Sequence, residues 1–195
     1  MVALVSRTGR EFQRYDDEGR RQVVGCIPYR YKTGKSPSHE AMDDSQDLEV
    51  LLISSQKSHA MLFPKGGWEM DESMKEAAKR ETMEEAGVEG NVESQLGKWF
   101  FKSKSHDAIY EGYMFPLLVE KQLDIWPEKH VRQRKWMTVD EAREVCQPLW
   151  MKEALDRLVR RLRQEEEEEL KARHESFLRS HRCRLLICNK MEKSG

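Results

Sequence analysis

The sequence contains no run of about 18 apolar residues, the length that a membrane-spanning helix needs, so we expect no membrane attachment. It also has no surplus of positive charge: 34 Lys and Arg residues stand against 35 Asp and Glu residues, which gives a formal net charge of -1. Because general binding to nucleic acid usually needs a basic surplus, we expect no nucleic-acid partner. Any site for an anion must therefore be local.

Cysteine is also scarce. The four cysteines, Cys26, Cys146, Cys183 and Cys188, follow no recognisable zinc or disulfide spacing. Reduced thiols of an intracellular protein are the simplest interpretation. The first residues are basic but hold no apolar stretch as long as a secretory signal. We expect a cytoplasmic protein, with the nucleus as a further location and the mitochondrion as the alternative. No obligate protein partner is evident.

Composition divides the chain into one domain, residues 1–162, and a charged tail, residues 163–195, that is helical or disordered. Thr138 and Glu141 fit a capping box at the start of a helix, and a long final helix begins near Trp150. Its apolar stripe is expected to pack on the domain. Aliphatic and β-branched residues predict strands at 23–31, 49–54, 92–102, 109–119 and 134–139.

One segment carries most of the chemical information. Residues 66–88 read GGWEMDESMKEAAKRETMEEAGV, rich in good helix formers up to Gly87, a natural helix stop. On a helix, Glu81, Glu84 and Glu85 share one face, where three like charges repel one another. A cation should therefore lie there, and clustered carboxylates suit hard divalent ions such as Mg²⁺ or Mn²⁺. An ordinary solvated acidic helix is the alternative interpretation.

Other residues of this segment favour the metal interpretation. Arg80 is expected to pair with Glu72, which would pin the loop to the helix. Gly66 and Gly67 suit a tight loop that leads into the helix. The opposite face of the helix carries a small or apolar stripe that is expected to lie against a sheet: Met74, Ala78, Thr82 and Ala86.

The spacing Gly-x5-Glu-x7-Arg-Glu-U-x-Glu-Glu-x-Gly-U, where U is a bulky apolar residue, is matched from Gly66 to Val88. One position departs, because Thr82 stands where an aliphatic residue is usual. This pattern is the Nudix box, and the chain resembles the Nudix hydrolases. The resemblance implies an α/β fold, with a mixed β-sheet sandwiched between α-helices, and metal-dependent hydrolysis of a diphosphate.

The resemblance also implies roles for residues of the box. Glu81 and Glu85 are the expected main metal ligands, and Gly66 is expected beside the metal. Glu84 is either a third ligand or the base that activates water. The resemblance also places Arg80 among the expected catalytic residues.

The flanking sequence narrows the resemblance to one group. The segments SRTGR (6–10), VGCIPYR (24–30), FPKGGWE (63–69) and RQRKW (132–136) are similar to plant Nudix hydrolases related to diphosphoinositol polyphosphate phosphohydrolases. This similarity implies removal of the outer phosphate from diphosphoinositol polyphosphates. Dinucleoside polyphosphates or other nucleoside diphosphate derivatives are the alternative substrates. A non-catalytic regulatory module that binds a ligand is a remote alternative.

A highly phosphorylated small-molecule substrate would need several cations near the box, Arg as a bidentate donor and Lys as a point charge. Scattered surface charge is the alternative interpretation for any one of them, since 35% of the residues are charged. The candidate substrate-binding residues are Arg20, Arg21, Lys57, Lys65, Gly67, Lys102, Lys104, His106, Arg132 and Arg134.

Overall fold

A computed structural model describes residues 5–32, 47–56, 60–103 and 107–191, with side chains described as far as residue 179. Eight strands in this part of the chain form one mixed sheet. The strands are β1 (Arg21–Tyr31), β2 (Leu48–Ser54), β3 (Met61–Leu62), β4 (Lys65–Gly67), β5 (Val88–Val92), β6 (Gly97–Lys102), β7 (Ile109–Gln122) and β8 (Arg134–Thr138).

β1 and β7 form the centre of the sheet. They run parallel, from Arg21 beside Tyr110 to Tyr29 beside Leu118, and the other strand pairs are antiparallel. The strand order is β3-β2-β1-β7-β5, with β4 paired to β1, β6 to β7 and β8 to β2. Residues 23–29 of β1 are all buried, which agrees with their almost continuous apolar sequence.

The first helix, α1 (Met74–Ala86), packs on one face of the sheet and carries the box glutamates. Ser73 caps its first turn through a capping box with Glu76. Gly87 ends the helix in the left-handed conformation, with φ of 64°, as the sequence predicts. Both ends of α1 are therefore fixed by local contacts.

The predicted stripe of α1 faces the sheet. Ala78 and Ala86 join the core that contains Val24 of β1 and Phe115 of β7. Thr82 is fully buried in place of the usual aliphatic residue. Its hydroxyl donates a hydrogen bond to the carbonyl of Ala78, with an O···O distance of 2.7 Å, so the polar group is satisfied inside the helix.

Two further helices follow the sheet in sequence. α2 (Val139–Val145) packs against β2 and β8, and α3 spans Leu149–Met191. On the face opposite α1, the ring of Trp150 stacks on Phe101, with the ring centroids 4.5 Å apart. The sheet therefore lies between helices, which confirms the predicted fold class.

The chain divides into two compact units, Met1–Arg157 and Leu158–Gly195. The first contains the sheet, α1, α2 and the first turns of α3. In the second, the helix continues to Met191, so the described part of the predicted tail is helical. Among the described helices, none has the length and hydropathy needed to cross a membrane.

Candidate active site

β4 brings the two box glycines next to the helix that carries the glutamates. Gly66 pairs with Val24 of β1. A Cβ atom on Gly66 would lie 2.0 Å from Oε2 of Glu81, so only a residue without a side chain lets this carboxylate lie against the main chain. The loop and the glutamate face of α1 therefore meet at Gly66.

Arg80 holds the loop to the helix, and its predicted pair with Glu72 is confirmed. The Arg80 guanidinium donates to both carboxylate oxygens of Glu72, with N···O distances of 2.9 and 2.6 Å, and to the carbonyl of Gly67 at 3.0 Å. It also donates to Oε1 of Glu81 at 2.8 Å. Burial opposes the positive charge, but Glu72 and Glu81 outweigh it and raise the pKa of Arg80.

Glu84 is buried, with a side chain that is 6% exposed. Its Oε2 accepts a hydrogen bond from the main-chain N–H of Arg7 at 3.3 Å and lies 3.6 Å from Nη1 of Arg80. Burial and the negative charge of Glu81 raise the pKa of the Glu84 carboxyl to about 7. A buried carboxylate with long contacts and a raised pKa suits a group that accepts a proton.

Glu85 is held by two elements other than its own helix. The main-chain N–H of Lys65 donates to Oε2 of Glu85 at 2.7 Å, and the guanidinium of Arg132 forms an ion pair with Oε1. Burial raises the pKa of Glu85, although the positive charges of Arg132 and Lys65 oppose the shift. Glu85 therefore links α1 to β4 and to the segment before β8.

Comparison with known proteins shows the family to which the domain with this glutamate-bearing helix belongs. A family model described as NUDIX domain matches residues 41–162. The chain belongs to the Nudix family. Nudix hydrolase 18, mitochondrial, of Arabidopsis thaliana is 64% identical over 162 residues, which cover 83% of this chain and 89% of that relative. Diphosphoinositol polyphosphate phosphohydrolase 3-alpha of Mus musculus is 31% identical over 136 residues, which cover 68% of this chain and 73% of that relative.

A solved structure has the same fold. The C. elegans Ap4A hydrolase superposes with a TM-score of 0.54 at 21% identity, covering 73% of this chain and 98% of that one. With the family and the identity to named Nudix hydrolases, the chain is an enzyme of the Nudix hydrolase type.

Nudix hydrolases generally need divalent metal cations. The box offers three carboxylates, Glu81, Glu84 and Glu85, and burial raises the pKa of each, so a doubly charged ion would be stabilised among them. Over the described residues, no three acidic, His or Cys side chains already form a coordinating cluster, and Arg80 and Arg132 pair with two of the carboxylates. The donor chemistry fits Mg²⁺ or Mn²⁺.

Three of the predicted substrate cations lie beside the Nudix box. Arg132 pairs with Glu85, as described above. Lys65 stands next to Gly66 on β4, where the charge of Glu85 attracts its ammonium group. A Cβ on Gly67 would lie 2.7 Å from Nη2 of Arg21, so this guanidinium borders the glycine loop.

Three other candidates among the described residues have partners outside the glutamate cluster. Arg20 pairs with Asp16 at 2.6 Å, and Lys102 pairs with Asp107. Arg134 donates to the last carbonyls of the Nudix helix at 2.9 and 3.0 Å, so it satisfies the C-terminus of α1. These contacts favour structural roles for Arg20 and Arg134, whereas the Lys102–Asp107 pair is exposed to solvent. Lys57, Lys104 and His106 lie outside the described residues.

Two residues at the Nudix site were not among the sequence candidates. Glu128 accepts a hydrogen bond from Arg132, four positions further on, and this spacing of opposite charges could have indicated the pair. Arg7 reaches Glu84 across 77 positions of sequence, and no local pattern indicates such a contact.

Proposed function

We propose that this Nudix hydrolase removes the outer phosphate from diphosphoinositol polyphosphates. The mouse relative with 31% identity is named a diphosphoinositol polyphosphate phosphohydrolase. Such a substrate carries many phosphates and needs several cations beside the metal ligands. Arg21, Lys65 and Arg132 border the box glycines and Glu85, where they would meet these phosphates.

Lys65 carries the proposal. Burial lowers the pKa of its ammonium group, while the charges of Glu85 and Glu81 oppose this shift. Among the described residues, the Nζ atom of Lys65 forms no hydrogen bond and no ion pair, although Glu85 and Glu81 attract its charge. An ammonium group has three donors and no acceptor, so this one can still donate to phosphate oxygens. A partly buried cation with unused hydrogen-bond donors next to the box glycines supports the proposal of a strongly anionic substrate.

The chain's own residues suggest how hydrolysis proceeds. A bound divalent cation would neutralise phosphate charge and position the reacting groups. Glu81 and Glu85 would hold this cation, and Arg80 keeps Glu81 in its orientation. Glu84 would accept the proton of the attacking water, because it is buried and its hydrogen-bonding contacts are long. Arg132, which pairs with Glu85, would place its positive charge beside the substrate phosphates.

Substrate preference tests the proposal. With Mg²⁺, the purified protein is expected to release phosphate from diphosphoinositol pentakisphosphate faster than it hydrolyses a diadenosine polyphosphate or ADP-ribose. We expect Lys65→Met to raise KM for the inositol substrate by about tenfold, because the substrate loses one charge-assisted hydrogen bond. The rise in KM for the nucleotides should be smaller.

The matched control is Lys79→Met, which removes an exposed lysine from the outer face of α1 and should leave both KM values unchanged. Faster hydrolysis of a dinucleoside polyphosphate would favour the nucleotide alternative. An equal rise in KM for all substrates would show that Lys65 does not select for the number of phosphates.

The compartment is a separate proposal. The Arabidopsis relative with 64% identity is named a mitochondrial protein. Its name favours the mitochondrial alternative over the cytoplasm that the composition predicts, and we propose a mitochondrial location. The full chain with a fluorescent protein at its C-terminus should overlap a mitochondrial dye in plant cells. Diffuse cytoplasmic fluorescence would instead support the cytoplasm.

A further inference from the structure

A segment before the sheet, residues 7–14, lies along the loop that enters the Nudix helix, and we name it the N-terminal strap. The main-chain N–H of Arg14 donates to the carbonyl of Trp68, and that of Met70 donates to the carbonyl of Phe12, both at 2.8 Å. The strap lies outside residues 41–162, the part of the chain that matches the family model.

Side chains add to these main-chain contacts. The Arg14 guanidinium donates to the carbonyls of Glu69 and Met70, at 3.1 and 2.9 Å, and lies over the ring of Trp68, 4.4 Å from its centroid. The loop that Arg80 holds from the helix side is therefore also held on its other side by the strap.

Arg7 joins the strap to the glutamate face of α1. Its Nη1 donates to Glu69 at 2.5 Å and to Asp71 at 3.0 and 3.1 Å. Arg7 also lowers the pKa of the Asp71 carboxyl, mainly through this hydrogen bond. With its side chain fixed in this way, its main-chain N–H points at Oε2 of Glu84.

We propose that Arg7 is a positioning residue of the active site, which orients the Glu84 carboxylate through the strap. The inference rests on the proposed role of Glu84 in hydrolysis. The 3.3 Å bond from Arg7 and the 3.6 Å contact with Arg80 are the side-chain contacts described for Glu84, so the Arg7 N–H is one of two groups that set its direction. The guanidinium of Arg7 does not touch the carboxylate and acts through its anchors on the loop.

Kinetics of four single variants and one double variant test the proposal. Arg7→Ala should lower kcat about tenfold, as loss of an orienting contact commonly does, with KM nearly unchanged because no substrate contact is lost. Arg7→Lys should restore part of kcat, since an ammonium group can pair with one of the two acids. Asp71→Asn should lower kcat in the wild-type chain but add no loss to Arg7→Ala. Arg163→Ala, which removes an exposed arginine of α3, should leave kcat unchanged.

Hydrogen exchange provides a readout that needs no substrate. Arg7→Ala should speed exchange of the amides in the strap and in residues 68–71, while exchange in β1 and β7 stays at the wild-type rate. Faster exchange together with a lower kcat supports the proposal. Faster exchange with wild-type kcat, or unchanged exchange, would overturn it. Absence of any hydrolysis by the wild-type chain would instead count against the proposed function, whatever the exchange shows.

Discussion

Replacement of Glu84 by glutamine is expected to lower kcat by a factor of about a thousand, the size of effect that loss of a general base produces. Glutamine has nearly the same shape but cannot accept the proton of the attacking water. The buried position and the two long contacts can be kept by the amide, so the variant should fold and bind substrate normally. Phosphate release with Mg²⁺ from a diphosphoinositol polyphosphate measures the change.

Glu144→Gln is the matched control, because this glutamate lies exposed on α2 and its change should leave kcat at the wild-type value. Circular dichroism and thermal unfolding would verify that both variants are folded. A Glu84→Gln variant with wild-type turnover would exclude Glu84 as the base. A wild-type chain that binds the substrates without hydrolysing any of them would point to a regulatory module.

Gly66→Ala is expected to weaken metal binding by at least about tenfold without unfolding the protein. The new Cβ would lie 2.0 Å from Oε2 and 2.1 Å from Cδ of Glu81, so this carboxylate must turn away. The atoms that move are the end of a flexible side chain, and the fold can absorb their displacement. The proposed ligand, however, leaves the place where Arg80 holds it.

The neighbouring glycine offers a comparison for this prediction. The three atoms nearest to a Cβ on Gly67 belong to the amide of Gln13, at 2.4 Å, and to Nη2 of Arg21, at 2.7 Å, rather than to a glutamate of the box. Gly67→Ala should therefore bind metal nearly as well as the wild type. Calorimetric titration with Mn²⁺ measures both affinities. Equal losses in the two variants would show that alanine disturbs the loop main chain rather than Glu81.

Features set by near neighbours in sequence were predictable. The capping box at Thr138 starts α2, and β1 ends at the predicted Tyr31 and begins two residues before the predicted Val23. The Arg80–Glu72 pair follows from spacing within the box. Prediction failed at the start of the strand at 92–102, because the strand there, β6, begins only at Gly97, and β5 at Val88–Val92 was not predicted. β7 is 14 residues long, and its two ends pair with β5 and β6 separately.

The environment of each cation was not predictable, because the fold decides which acid or carbonyl it meets. Arg132 and Arg134 are two positions apart, yet one pairs with Glu85 and the other with the end of α1. Arg132 precedes β8 and Arg134 is its first residue, and the sequence does not show which groups of the folded chain lie beside each of them. The contact between Arg7 and Glu84 depends in the same way on the whole fold.

The position of β1 has a practical consequence for shortened proteins. The family match begins at residue 41, ten residues after β1 ends at Tyr31. In the described sheet, β1 joins β2 and β4 to β7, so a fragment that starts at residue 41 would leave β2, β3 and β8 unconnected to β5, β6 and β7. The boundary of the matched domain is therefore not the boundary of a folding unit, and expression clones should retain the residues before it.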